Sequence, residues 1–129
     1  MSYIGENTDK RLNLLPGVNL AATGQTLLFT VPSGKNCIVT DIRLEVAQAD
    51  AVISVPSLRV GKASNYDEWL PITAMTGLDA VGEFVNLSTA ANLLIRKKFA
   101  AGDAIKIDIT TAGVATALTA NIHVFGYIY

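Results

Sequence analysis

The stretch TLLFTVPSGKNCIVTDIRLEV, residues 26–46, carries the strongest signal for the fold. Its first half places Leu27, Phe29 and Val31 on one face of a strand with a period of two residues. Its second half repeats this period with Ile38, Ile42, Leu44 and Val46 on one face together with Thr40. Between the halves, Pro32 fixes φ and Gly34 permits positive φ, as a tight turn requires. Residues 26–47 are therefore predicted to form a hairpin of two half-buried antiparallel strands.

The rest of the chain, after residue 47, is predicted to form further short strands. Residues 51–61 continue the strand pattern, but Pro56 predicts a sheet edge or a break between two short strands. Residues 62–88 read as a long excursion with short strands near 69–74 and 82–87, followed by a turn and a strand from about residue 93. The later segments are clearer, because Ile105, Ile107 and Ile109 alternate with polar residues and a final strand covers 118–129.

This spacing predicts an all-β fold of seven to nine strands with no helix longer than a turn. The fold class is a single-domain antiparallel β-sandwich, with a jelly roll as the favoured topology and an N-terminal arm. Residues 1–16 are charged and lack periodicity, so they are predicted to form an extended arm that serves attachment rather than folding. Residues 17–129 are predicted to be the β-sandwich (jelly-roll) domain.

The composition of the chain argues for a protein partner and against several other classes. Half of its 129 residues are hydrophobic and 16% are charged, against about a quarter charged in an ordinary soluble domain. This excess predicts that part of the surface faces another protein. A net charge of −1 predicts no nucleic-acid partner, and apolar runs far shorter than the roughly 20 residues of a membrane span predict no membrane.

Candidate catalytic and metal-binding residues are too few for any familiar chemistry. The chain has one histidine, His123, and one cysteine, Cys37, which cannot supply a catalytic triad or a zinc site. Cys37 is interpreted as a small residue beside a turn. Together with the polar N-terminal sequence, the lone cysteine predicts a protein made in a reducing cytoplasm. We therefore predict no enzyme activity, no bound metal and no cofactor.

One segment, SNYDEWLP at 64–71, carries two aromatic residues beside two carboxylates. Tyr66, Asp67, Glu68 and Trp69 form a possible contact loop, since sugars stack on aromatic side chains of loops. The alternative interpretation is a solvated turn.

The chain ends in HVFGYIY, residues 123–129, where two faces of the last strand differ in kind. One face is an ordinary core face: Leu118, Ala120, Ile122, Val124 and Ile128. The other presents His123, Phe125, Tyr127 and Tyr129, which soluble monomers avoid exposing as one patch. These four residues are predicted to form a subunit interface. Two alternatives remain: a segment such as 62–88, or the arm, covers them within one chain, or the oligomer is a dimer.

The segment at 26–46, with its TVPSGK turn, is similar to a recurring segment of bacteriophage virion proteins. FAAGDAIKIDI at 99–109 and IHVFGYIY at 122–129 resemble the closing strands of small trimeric jelly rolls, including bacteriophage capsid cement and decoration proteins. The resemblance implies a homotrimer on the capsid surface of a phage that binds the major capsid protein and stabilises the capsid. A tail or fibre receptor-binding head that binds glycans is the alternative, and a host-encoded structural or lectin-like module is a third.

Overall fold

The computed structural model describes residues 10–90 and 97–129, which form nine strands and one short helix. Their bounds are β1 (Lys10–Asn19), β2 (Gly24–Thr30), β3 (Cys37–Asp50), β4 (Ser57–Lys62), β5 (Asn65–Ala74), β6 (Phe84–Asn86), α1 (Leu87–Ala90), β7 (Lys97–Phe99), β8 (Ala104–Thr111) and β9 (Ala117–Ile128). In these residues no helix is long and apolar enough to cross a membrane.

The strands form two antiparallel sheets. The first has the order β1-β9-β3-β6, with β7 also pairing with β3, and the second has the order β2-β8-β4-β5. Strands β6 and β7 lie beside different parts of the long strand β3, at Arg43–Glu45 and Cys37–Val39 respectively, and so share one position in the sheet.

The pairing is that of a jelly roll: the first strand pairs with the last, the second with the one before the last, and so on to the middle of the chain. Strand β1 pairs with β9, β2 with β8, β3 with β6 and β7, and β4 with β5. Wrapping this ribbon brings β9 beside β3 and β8 beside β4, which completes both sheets. The predicted all-β sandwich is confirmed, and the strand order is that of a jelly roll.

The predicted hairpin over residues 26–47 is wrong. Strand β2 pairs with β8 in the second sheet, whereas β3 pairs with β9 in the first sheet. The segment 31–36 therefore carries the chain from one sheet to the other. The predicted turn is present, since Lys35 N donates to the Pro32 carbonyl. Turn residues make the chain reverse direction, but they do not determine whether the next strand pairs with the previous one.

The core lies between the sheets and confirms the alternation of the last two long strands. Ile105, Ile107 and Ile109 of β8 are buried, and Leu118, Ala120, Ile122 and Val124 of β9 are buried opposite them. Ile128 is partly buried against the same core. Burial of these apolar faces against each other is what holds the two sheets together.

Two β-bulges change which residues of β2 and β3 face the core, compared with the alternation that the sequence predicts. A register shift between Val39 and Asp41 places Cys37 and Val39 in the core and Ile38 on the outer face. Beyond this bulge, the predicted core residues Ile42, Leu44 and Val46 are buried as expected. In β2 the shift lies between Leu27 and Phe29, so Leu28 is buried and Leu27 is exposed.

The predicted arm needs a correction at its boundary. Residues 10–16 belong to β1, which pairs with β9 at the edge of the first sheet, and Leu12 and Leu15 pack against the core. Residues 1–9 of the predicted arm lie outside the described part of the chain. Pro16 is tolerated because β1 is an edge strand, and Gly17, at φ +64°, accommodates the register shift that follows Leu15.

Candidate functional site

The outer face of the first sheet gathers the aromatic residues that the C-terminal sequence singled out. His123, Phe125 and Tyr127 of β9 alternate with core residues and point away from the interior. Directly paired residues on neighbouring antiparallel strands share a face. The register therefore adds Leu14 and Arg11 from β1, Ile38, Arg43 and Glu45 from β3, and Phe84 from β6. This set, with Tyr129, is called the aromatic face below.

The rings of the aromatic face contact one another along β9. The rings of His123 and Phe125 stack with centroids 6.2 Å apart and an interplanar angle of 9°. Tyr127 and Tyr129 make a tilted contact at 6.1 Å. The two pairs follow one another along the chain as a stripe, because side chains at every second position of a strand share a face.

Charged residues border this stripe on the β3 side. The Arg43 guanidinium lies 3.9 Å from the centre of the Phe84 ring, which is a cation–π contact. His123 Nε2 is 3.7 Å from a carboxylate oxygen of Glu45. The Arg43 Nε atom is buried without a hydrogen-bond partner among the described residues. The aromatic face thus combines rings with a partly unsatisfied arginine, the residue types that are enriched at the centres of protein interfaces.

Among residues 10–90 and 97–129, the neighbours of the aromatic face bury it in part and leave some of its side chains exposed. The His123 side chain is 19% exposed, whereas Phe84 is 52% and Tyr129 47% exposed. Within the described residues, segment 62–88 supplies β5 to the other sheet and β6 to the edge of this one. Strand β1 likewise lies beside β9 at the edge. These segments therefore flank the aromatic face rather than fold over it.

The outer face of the second sheet has a different character, because it is dominated by ion pairs. Arg59 Nε donates to Asp108 at 2.8 Å, and its Nη1 donates to Asp67 at 2.9 Å. The hydrogen bond to Asp108 is the main reason that the pKa of Arg59 is raised. Tyr66 adds a hydrogen bond from its hydroxyl to Gln25 at 2.9 Å. The charges of Arg59, Asp67 and Asp108 are therefore paired within the chain, while Leu27 of the same sheet is exposed.

The predicted contact loop is not a loop. Tyr66, Asp67, Glu68 and Trp69 lie on strand β5, where Trp69 points into the core and is 3% exposed. Trp69 Nε1 donates to the Val39 carbonyl on the opposite sheet. A buried indole cannot stack on a sugar, so Trp69 is removed from the candidate contact residues. Asp67 is engaged by Arg59, and Glu68 lies 3.6 Å from Lys62.

The sequence did not identify Phe84 and Leu14 as members of the aromatic face. Phe84 lies in a three-residue strand that is too short to show a period, and Leu14 lies in the segment that was interpreted as an arm. Arg43 and Glu45 alternate with the buried residues of β3, and the register places them beside His123 and Asn121. These residues could not be assigned to the aromatic face without knowing which strands are neighbours in the sheet.

The side chain of Cys37 belongs to the hydrophobic core. It is fully buried, and burial raises the pKa of its thiol to about 11. Its protonated form is therefore the stable one at neutral pH, which makes it a poor nucleophile. Among residues 10–90 and 97–129, no cluster of three or more His, Cys, Asp or Glu side chains is placed to hold a metal ion.

Comparisons with known proteins establish the fold of the chain. No protein-family model matches it, and no curated protein matches its sequence. It is similar to a chain of the acidic stable capsid of Helicobacter pylori bacteriophage KHP30, with a TM-score of 0.57, 14% identity, and 94% of this chain and 92% of that chain covered. It is also similar to a chain of the cyanophage Pam1 capsid, with a TM-score of 0.57, 17% identity, and 95% and 86% covered. The likeness spans nearly the whole of each chain, so it concerns the complete sandwich.

Proposed function

We propose that this chain is a structural virion protein of a bacteriophage: a cement, or decoration, protein that binds the head surface as a homotrimer and stabilises the capsid. The observation that carries the proposal is the shared fold with chains of two phage capsids over at least 94% of this sequence. The partner on the head is the major capsid protein. The protein acts by burying surface and not by catalysis.

The aromatic face supplies the contact between copies. It presents Phe125, Tyr127 and Tyr129 beside Arg43, and such rings gain stability when they are packed away from water. A partner copy would shield the exposed part of Phe84. The second sheet carries an ion-pair network of Arg59 with Asp67 and Asp108 within the chain.

In a closed ring of three copies, the aromatic face of each chain packs against a second part of its neighbour's surface. Copies arranged around a threefold axis each give and receive one contact, and no aromatic surface remains at an open end. The resemblance of the C-terminal strands to trimeric jelly rolls selects three copies over two. A dimer is the competing outcome, and a measured mass separates the two.

A structural role also fits the surroundings of the residues that an enzyme would need. His123 stacks on Phe125 and faces Glu45 on the aromatic face, where the described residues bring no serine or cysteine to its ring. The alternative of a glycan-binding tail or fibre head rests on the same fold, with ring stacking in the segment 64–71 as its contact. Because Trp69 is in the core, Tyr66 is the one ring of that segment left for such a contact, which weakens this alternative.

The experiment that tests the proposal is quantitative mass spectrometry of purified particles of the phage that encodes this chain. We expect a copy number of the same order as that of the major capsid protein, and we expect the chain to remain with heads after tails are removed. A few copies per particle that separate with the tails would overturn the proposal in favour of a receptor-binding head. Absence from purified particles would overturn both.

A further inference from the structure

One end of the sandwich is built from four loops that backbone hydrogen bonds tie together: residues 20–23, 51–56, 75–83 and 112–116. Gly113 N donates to the Leu20 carbonyl, Ile53 N to the Val114 carbonyl, and Met75 N to the Pro56 carbonyl. Gly82 N also donates to Val46 near the end of β3. These bonds hold the four loops as one surface, which is called the loop end below.

The loop end displays large apolar side chains at its tips. Ile53 is 81% exposed, Val81 is 66% exposed and Val114 is 52% exposed. Ile53 and Val114 are neighbours, because the Ile53 and Ser54 amides both donate to the Val114 carbonyl, at 2.7 and 3.3 Å. Exposed side chains of this size on a rigid, hydrogen-bonded tip form a pre-organised apolar contact.

Backbone strain lies directly beside this tip. Ala51 has φ +50° and is the positive-φ residue other than glycine among the described residues. The left-handed region costs an L residue about 1 kcal/mol or more, and such strain is concentrated at functional positions. Here it shapes the loop that presents Ile53 to solvent.

The charges of the two ends are opposite in sign. The four segments of the loop end contain no lysine or arginine, and their ionisable residues are Asp79 and Glu83, with Asp50 beside them at the end of β3. Glu83 accepts hydrogen bonds from the Asp79 and Ala80 amides at 3.0 and 2.9 Å, and the nearby carboxyl of Glu83 raises the pKa of Asp79. Two carboxyl groups held this close favour a cation from outside.

The opposite end of the sandwich carries four lysines at or beside its loops. It is formed by residues 31–36, 63–64 and 100–103, which are linked by bonds between Val31 and Asp103 and between Asn36 and Tyr129. The lysines at or beside it are Lys10, Lys35, Lys62 and Lys98, and the one acidic residue of the three segments, Asp103, lies 3.3 Å from Lys62. The molecule is therefore polarised along its strands.

We infer that the loop end is the docking surface that faces the phage head, and that its partner is a protein surface with an apolar patch bordered by basic side chains. This inference rests on the proposed function and adds to it which end of the molecule is attached. Ile53, Val81 and Val114 enter the apolar patch, and Asp50, Asp79 and Glu83 pair with the basic border. The lysine-rich end points away from the head.

The test uses heads of the encoding phage that lack this chain, prepared from a strain with the gene deleted, and measures binding of added protein by co-sedimentation. The variant Ile53→Ser with Val114→Ser removes the apolar tip without adding charge. The variant Asp79→Asn with Glu83→Gln removes the acidic border. Lys35→Gln, at the opposite end, is the matched control. All substituted side chains lie outside the core, and unchanged melting and unchanged mass in light scattering will show that each variant folds and assembles as the wild type does.

We expect the apolar-tip variant to bind about tenfold or more weakly, and the acidic-border variant to bind more weakly and to lose most of its salt dependence. The control should bind as the wild type does. Wild-type binding with undiminished binding of both loop-end variants would overturn this inference and leave the proposed function intact. Failure of the wild type to bind would overturn the proposed function and this inference with it. Self-association of the wild type that the apolar-tip substitutions abolish, without any effect on head binding, would assign the loop end to a second copy instead.

Discussion

The indole nitrogen of Trp69 donates a hydrogen bond of 2.9 Å to the carbonyl of Val39, and this bond crosses the interior from one sheet to the other. Val39 lies at the edge of the bulge in β3, and Trp69 is 3% exposed on β5. The bond thus joins the two sheets at the place where the ladder of the first sheet is irregular. It also explains why the one tryptophan of the chain serves the core and not a binding surface.

Replacement of Trp69 by phenylalanine tests the value of this bond. The ring of Trp69→Phe keeps most of the apolar contact but leaves the buried Val39 carbonyl without its donor, which costs about 1 to 3 kcal/mol. We expect the free energy of unfolding in urea to fall by this amount. Tyr66→Phe, which removes a hydrogen bond to Gln25 near the surface of the same strand, is the control and should change it by about 0.5 kcal/mol or less. Equal effects of the two substitutions would contradict this assignment.

Gly126 is required by the close approach of β9 and β3 beside the same bulge. A Cβ atom at this position would overlap the carbonyl oxygen of Ile38, which is a backbone atom and cannot rotate away. Gly126→Ala should therefore cost about 3 kcal/mol of stability through strand displacement. Gly34→Ala meets open space and carries only the strain of φ +75°, about 1 kcal/mol. Urea unfolding of both variants compares them, and a smaller loss for Gly126→Ala than for Gly34→Ala would refute the account.

The buried thiol of Cys37 makes stability depend on pH in the alkaline range. Its pKa is about 11 in the folded chain and 9.0 ordinarily, so between these values the unfolded chain releases a proton that the folded chain keeps. The stabilising contribution of the neutral thiol is complete below about pH 9 and is lost as the pH rises to about 11. The expected loss is about 2 to 3 kcal/mol over this window.

The measurement is the free energy of unfolding of wild type and Cys37→Ala at several values from pH 8 to pH 11. Cys37→Ala is less stable at pH 8 because of the cavity that it leaves, but it lacks this slope, so the difference between the two proteins should shrink as the pH rises. A constant difference would show that the thiol titrates alike in both states.

The local pattern of the sequence was enough to predict single strands and their buried faces where the period of two is unbroken. Ile105, Ile107 and Ile109 and the apolar face of β9 are examples. The pattern failed at Thr40 and Leu28, because a bulge inserts one residue and reverses the faces beyond it. It also failed for the partner of β2, since pairing with β8 joins residues about 80 positions apart and leaves no local trace.

Of the candidate site, the sequence predicted the residues that lie on one strand but not those that neighbouring strands bring to it. The stripe of His123, Phe125 and Tyr127 follows from the alternation of one strand, and the structure places these side chains together on the outer face. Leu14, Arg43 and Phe84 join them only through strand order. Trp69 was misassigned because the neighbouring polar residues of β5 suggested a loop, whereas the side chain of Trp69 is buried in the core.

If the aromatic face holds three copies together, as proposed above, the mass of the protein in solution will show it. Multi-angle light scattering of the wild type at micromolar concentration should give three times the mass of one chain. Phe125→Asp with Tyr127→Asp should give soluble folded monomers, because charges on this face cannot be buried without partners. Leu27→Asp, at an exposed position of the other sheet, should remain a trimer. A wild-type protein that is monomeric under these conditions, or a double variant that keeps the threefold mass, would contradict the claim.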